Sequence, residues 1–258
     1  MDLPGDREEH ALRAAAADQQ RLLDVQALDT RLDQLAHRRR TLPELAEISR
    51  LESDLNRLRD LVVAAETERS DIERERAKAE ADVAQVRARA DRDQKRLDAG
   101  QVGSPKELQS LQSEIASLQR RQAELEDVEL AVMERLDDVE TRLVQLRSDL
   151  ERVQAEHATA TARRDTAFGE IDAEDAALRT DREKTSTGLG EDLVALYEKV
   201  RAQNGGIGAA ALQHRRCQGC RLELNTTDIG RIRAAADDEV LRCEECRRIL
   251  IRTSESGL

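Results

Sequence analysis

The sequence predicts a mainly α protein in which a long antiparallel coiled-coil helical hairpin is followed by a small C-terminal C4 zinc ribbon. Three observations predict it. Charged residues make up 37% of the 258 and aromatics 1%, with one Tyr (Tyr197), one Phe (Phe168) and no Trp, so no large globular core can be assembled. Apolar residues instead recur at alternating steps of three and four along two long stretches, the spacing of a helix that needs a partner along its length. The four cysteines stand as two C-x-x-C pairs, Cys217 with Cys220 and Cys243 with Cys246, and two such turns facing each other supply a closed tetrahedral S4 site.

Taken in order, the hairpin is expected over 1–203 and the ribbon over 204–258. Val25, Leu28, Leu32, Leu35 and Leu42 form a first apolar stretch whose phase is offset by two residues from the next, which begins at Ile48. Pro43 sits at the break, and a kink near 41–44 absorbs the phase change, because proline removes a helix hydrogen bond and clashes with the preceding turn. The seam then runs through Ile48, Leu51, Leu55, Leu58, Val62, Ile72, Val83, Val86 and Leu97, with Arg69 and Arg76 on seam positions.

A turn is expected near 99–105. Gly100 can end the first arm in a left-handed conformation, Ser104 can cap the second, Pro105 suits the first helical position, and Glu107 closes a capping box with Ser104. Leu111, Ile115, Leu118, Leu125, Val132, Leu136, Val139, Leu143, Leu146, Leu150 and Val153 carry the returning seam, broken by Gln122 and Glu129. Residues equidistant from the turn should face each other, which sets Glu129 opposite the neighbourhood of Arg76. At 1.5 Å per residue each arm reaches on the order of 120–140 Å, so a rod-like particle is expected. Beyond Val153 the seam weakens through His157, Ala160 and Arg164, and Thr185-Ser186-Thr187-Gly188-Leu189-Gly190 breaks the helix near 185–190 before Leu193, Leu196, Tyr197 and Val200 restart it.

In the ribbon, two short strands are expected at Val240-Leu241 and Ile249–Ile251, a brief helix from Thr227 to Ile232, and a small core of Ile207, Leu212, Leu222, Leu224, Ile229, Ile232 and Leu250. So small a core leaves metal binding to supply much of the stability. One structural zinc per chain is expected on Cys217, Cys220, Cys243 and Cys246; His214 is close, but four thiolates already complete the site.

Net charge is −12, yet residues 204–258 hold nine Arg against eight acids, leaving −13 on the rest. Arg215, Arg216, Arg221, Arg247 and Arg248 crowd around the knuckles and form the candidate surface for a protein partner or nucleic acid. The near absence of aromatics for base stacking favours a protein partner. No apolar run approaches the roughly 20 residues of a membrane span, and Met1–Asp6 lacks a signal core, so the expected location is cytoplasmic. The scattered histidines (10, 37, 157, 214), with no P-loop and no G-x-G-x-x-G, offer no catalytic arrangement and no small-molecule substrate site; the chain reads as a non-enzyme.

The turn Val102-Gly103-Ser104-Pro105-Lys106-Glu107 with Leu111, Glu114 and Ile115, and the tail Cys217-x-x-Cys220 with Cys243-x-x-Cys246-Arg247-Arg248-Ile249-Leu250, resemble those of the bacterial C4-type zinc ribbon family with an N-terminal coiled-coil hairpin, the group like the flagellar zinc ribbon protein. Ser104, Leu108, Arg247 and Ile251 stand where that family usually has Asn, Tyr, Gly and Tyr. The resemblance implies a non-enzymatic adaptor or chaperone-like protein. In flagellated or secreting relatives it further implies binding of the alternative sigma factor 54, export components or mRNA. Docking of protein partners through the coiled coil and ribbon is the functional expectation, with nucleic-acid binding by the Arg-rich ribbon as the alternative.

Overall fold

The computed structural model describes residues 12–258, so Met1–Asp6 and His10 lie outside the described part. Five helices and four strands follow in the order α1 (Ala16–Arg40), α2 (Pro43–Asp98), α3 (Pro105–Ser186), α4 (Glu191–Gln203), β1 (Ala209–Gln213), β2 (Arg216–Cys217), α5 (Thr226–Ala234), β3 (Leu241–Arg242) and β4 (Ile249–Arg252). They form two compact units, one of residues 44–162 and one of residues 12–43 together with 163–258. The second is larger than the ribbon 204–258 alone, because α1 and α4 pack on the ribbon strands.

The helix boundaries follow local chemistry. Pro43 is the first residue of α2, where its missing N–H is no loss. Past Asp98 the Gln101 N–H bonds the Arg96 carbonyl around Gly100 at φ 64°, a left-handed helix stop. At the start of α3 the Glu107 N–H donates to Ser104 Oγ at 3.3 Å, and the Glu107 carboxylate accepts the N–H of Gly103 at 3.0 Å rather than that of Ser104. Gly188 at φ 83° follows α3, and Arg21 closes its end by donating to the carbonyls of Thr185 and Thr187, both at 2.7 Å.

In the unit 44–162, α2 and α3 form the paired arms of a long helical hairpin. Ile48, Leu51, Leu55 and Leu58 pack with Val153 and Ala160, and Ala65 and Ile72 with Val132, Leu136, Val139 and Leu143. Alanine fills seam positions that the apolar count passed over: Ala65, Ala79 and Ala90 are buried. Arg135 with Glu75 and Arg147 with Glu66, at 2.8 and 2.7 Å, flank the seam, as do Arg142 with Glu68 and Arg89 with Glu114. Arg76 does not look across to Glu129 for its main partner. It turns outward to Glu80 on its own helix at 2.7 Å, and Glu129 adds a weaker attraction.

In the other unit, a four-stranded sheet of order β2-β1-β4-β3 carries the ribbon, with β1 and β4 parallel and the outer pairs antiparallel. One face, through Ala209, Ile249 and Ile251, packs on Leu22 and Val25 of α1 and on Leu193 and Tyr197 of α4. The other face gathers Leu212, Leu224, Ile229, Ile232, Leu241 and Leu250 around Cys217 and Cys243. Leu222, expected in this core, is 51% exposed, because it follows Arg221, whose left-handed backbone turns the chain outward.

Between α1, α3 and α4 lies a polar network. Asp29, with a side chain 4% exposed, accepts from Arg182 Nε at 2.5 Å and from the Tyr197 hydroxyl at 2.7 Å, and Arg201 stands 3.7 Å away. The Asp29 and Glu198 carboxylates hold Arg182 above the ordinary arginine value against the opposing effect of burial. Burial, and then the bond to Asp29, pushes the Tyr197 hydroxyl far above its ordinary value of 10. Its neutral form is therefore favoured in the folded state. The stabilisation is complete below about pH 10 and is lost above it, where the unfolded chain ionises first. Since no other Tyr is present, tyrosinate absorbance reports this residue alone. The expected result is no tyrosinate signal until the protein unfolds in alkali; a reversible midpoint near 10 in folded protein would contradict the burial.

Candidate metal centre

The four cysteines come from two loops of the same construction. In the first, the Arg221 N–H bonds the Cys217 carbonyl at 2.7 Å and the Cys217 N–H bonds the Leu222 carbonyl at 3.0 Å; in the second, Arg247 to Cys243 is 2.8 Å and Cys243 to Arg248 is 2.9 Å. The leading sulfur of each loop also receives two backbone N–H groups, Cys217 from Gly219 and Cys220, Cys243 from Glu245 and Cys246. These are knuckles shaped to hold a thiolate.

All four thiols are free and their Sγ atoms lie within 4.8 Å of one another. The closest approaches link the two knuckles, Cys217 to Cys246 and Cys220 to Cys243, each at 3.9 Å. A tetrahedral zinc with bonds of about 2.3 Å sets its sulfurs about 3.8 Å apart, so the donor set fits zinc in both chemistry and spacing. Among the described residues no other cluster of His, Cys, Asp or Glu is close enough to hold an ion, and His214 is not part of this one. Burial pushes the thiols of Cys217 and Cys243 up. Cys246 is held below its ordinary value despite burial, because the backbone and guanidinium of Arg248 donate to its sulfur. A bound dication deprotonates such thiols outright, and the protons leave as metal enters.

Each knuckle ends in a residue with left-handed backbone, Arg221 at φ 63° and Arg247 at φ 61°. That conformation costs a side-chain-bearing residue roughly 1–2 kcal/mol, part of which a glycine returns through its freer unfolded chain. Arg221→Gly and Arg247→Gly are therefore each expected to raise stability by about 0.5–1 kcal/mol, seen as slower metal loss to a chelator. Faster loss would show that the arginine side chains hold the knuckles. His214 and Arg215 also have positive φ, 45° and 63°, and form the two-residue turn of the β1–β2 hairpin. Their N–H groups donate to the carbonyls of Glu255 and Ser256.

The five arginines named from the sequence differ in their surroundings. Arg221 is exposed with no side-chain partner among the described residues. Arg216 pairs with Glu223 at 3.6 Å and Arg247 with Glu244 at 3.2 Å. Arg215 is half-buried, its Nε covered and unbonded. Arg248 turns inward and donates to the carbonyls of Ile207 at 3.1 Å and Asn204 at 2.9 Å. No helix among the described residues is long and apolar enough to cross a membrane.

Comparison with known proteins matches residues 25–205 to a CT398-like coiled coil hairpin domain and residues 216–250 to a C4-type zinc ribbon domain. An uncharacterized protein of Mycobacterium tuberculosis is 36% identical over 241 residues, 93% of this chain and 98% of its own. A solved structure from Mycobacterium smegmatis is 35% identical with a TM-score of 0.80, covering 94% of this chain and 100% of that one. CT398 from Chlamydia trachomatis shares the fold at 18% identity and a TM-score of 0.69, over 92% of this chain and 98% of its own.

Proposed function

The chain belongs to the family of the CT398-like coiled coil hairpin with a C4-type zinc ribbon, and from that membership we propose that it is a non-enzymatic adaptor, stabilised by one structural zinc, that docks protein partners through its hairpin and ribbon. The observation that carries the reading is the closure of the thiol cluster. Four cysteine sulfurs of the chain converge on one point, which leaves no open coordination position for water or substrate, the mark of a structural and not a catalytic zinc. Such a site persists in a reducing compartment, which agrees with a cytoplasmic place of action. The zinc holds the two knuckles together and so fixes the surface around Arg216, Arg221 and Arg247.

Nucleic-acid binding is the second reading, and Arg221, exposed and without a side-chain partner among the described residues, favours it. Against it stand the glutamates that pair with Arg216 and Arg247, the latter shared with Arg231, and the scarcity of aromatics for base stacking. Both readings are tested with one variant, Arg216→Ser/Arg221→Ser/Arg247→Ser, which leaves the inward-turned Arg248 in place. The expected result is that affinity capture from the native host loses a specific protein with the variant. Binding of RNA or DNA by wild type should be no tighter than the roughly 1–100 µM of non-specific contact at physiological salt. Tight nucleic-acid binding that falls steeply with salt and vanishes in the variant overturns the adaptor reading.

A further inference from the structure

Residues 204–208 run as a strap from the end of α4 to the start of β1. It is grasped from two sides. From α1, the buried Gln26 donates to the Gly206 carbonyl at 2.9 Å and accepts the Gly208 N–H at 2.6 Å. From the second knuckle, Arg248 donates Nε to the Ile207 carbonyl and a terminal nitrogen to that of Asn204. The strap needs its glycines: Gly205 and Gly206 have φ of 66° and 90°, and a Cβ on Gly206 would sit 2.6 Å from Asp33 Oδ2.

The Gln26 clamp comes from a helix and does not depend on the knuckles. The Arg248 clamp does. Its backbone carbonyl closes the second knuckle through the Cys243 N–H, and its side chain lies across the first, where a Cβ on Gly219 would meet Arg248 Cδ at 2.6 Å. Arg248 thus touches both knuckles and reaches the strap. Its position is set by the two loops standing together, which is what a shared metal enforces. The neighbouring residue continues the link, since the Ile249 N–H bonds the Gly208 carbonyl at 2.9 Å.

We infer that Arg248 is a positioning residue that transmits metal occupancy of the four cysteines to the strap, so that loading the ribbon fixes the junction between α4 and the sheet. When the metal leaves, the knuckles separate, the guanidinium loses its bed on Gly219, and the Asn204 and Ile207 carbonyls lose their donors. Of the two side-chain clamps on the strap, only that of Gln26 then remains. Groups that donate to metal-binding side chains act this way, orienting the ligands they touch. The planar fork of arginine serves two carbonyls at once, which the single ammonium of lysine does not do in one geometry.

This rests on the zinc reading above, and the experiment separates the two. Amide hydrogen exchange of the full-length protein is followed with zinc bound and after removal by a chelator, with metal content measured in parallel. In wild type, exchange over 205–208 is expected to rise roughly tenfold on zinc removal, the scale of a lost local hydrogen bond. Arg248→Met keeps all four thiols but loses the guanidinium donor to Cys246, so it should still load zinc, released to chelator more readily, and show the raised exchange already in the loaded state, with little further response to chelator. Arg248→Lys should fall between, and serves as the reporter if the methionine variant does not fold. Gln26→Ala should raise exchange in both states yet keep the response to zinc. A protein purified without zinc and unable to take it up overturns the zinc reading and this inference together. A zinc-loaded protein whose strap is indifferent to chelator, or an Arg248→Met variant with wild-type protection, overturns this inference alone.

Discussion

Replacing Cys217 or Cys243 with serine is expected to abolish metal binding and unfold the ribbon while the helices of residues 44–162 persist. Structural zinc in isolated fingers contributes about 10–16 kcal/mol of apparent binding free energy at neutral pH, more than the core around Leu212, Ile232 and Leu250 supplies alone. Both cysteines are buried, so the substitution also strands a hydroxyl beside three thiols. Elemental analysis should fall from one zinc per chain to near zero, and limited proteolysis should cut first within 204–258. Retention of a full zinc equivalent, or loss of helicity throughout, would contradict the assignment of the metal to these four sulfurs.

The second large effect is expected at Asp29→Ala. Arg182 and Arg201 are each about three-quarters enclosed and share this carboxylate, so its removal leaves two part-buried cations facing each other with only the more exposed Glu198 and Asp33 as counter-charges, and leaves the Tyr197 hydroxyl the longer bond to Gln26 at 3.3 Å. Breaking a buried ion pair at one partner costs about 3–5 kcal/mol, and the partial exposure of both arginines argues for the lower end. The melting transition that includes α1 and the ribbon should drop by on the order of 10 °C. Asp29→Ala combined with Arg182→Met should recover part of the loss, because one of the two part-buried cations that shared Asp29 is then gone. A calorimetric trace unchanged by Asp29→Ala would show that the network is solvated and not load-sharing.

The cysteine pairs, the turn at Ser104-Pro105 and the heptad seam through Leu136, Val139 and Leu143 were legible in the sequence because each rests on short-range chemistry: a ligand spacing, a cap, a helical period. What sequence reasoning missed depends on tertiary partners. Strand β1 reads Ala-Ala-Ala-Leu-Gln, a helical composition, and becomes a strand because β4 offers it a parallel edge across some forty residues. Ala65 and Ala79 look like filler until the facing arm closes over them. Gln19, Gln26 and Asp29 appear as surface residues of α1 and are buried because the α5–β3 loop, the strap and α3 bring their polar partners to them. Arg248 counts as one more positive charge beside a cysteine until its carbonyl acceptors, about forty residues upstream, are in place. The doublet Gly205-Gly206 was the one local sign that something approaches the backbone closely there.

The discontinuity of the ribbon-bearing unit has a consequence for the order of events on the ribosome. Residues 44–162 can find all their partners as soon as Ala162 has emerged, whereas the face of α1 carrying Leu22 and Val25 must wait for Ile249 and Ile251 of β4. Ile249 lies 87 residues beyond Ala162, which at bacterial elongation rates is a delay of roughly 4–17 s. For that time an apolar helix face stands in the nascent chain without its complement, and near the end of it the first cysteine pair waits from Cys220 to Cys246, 26 residues or roughly 1–5 s. That interval is where a holdase, or premature capture of metal by two thiols, would act on this protein.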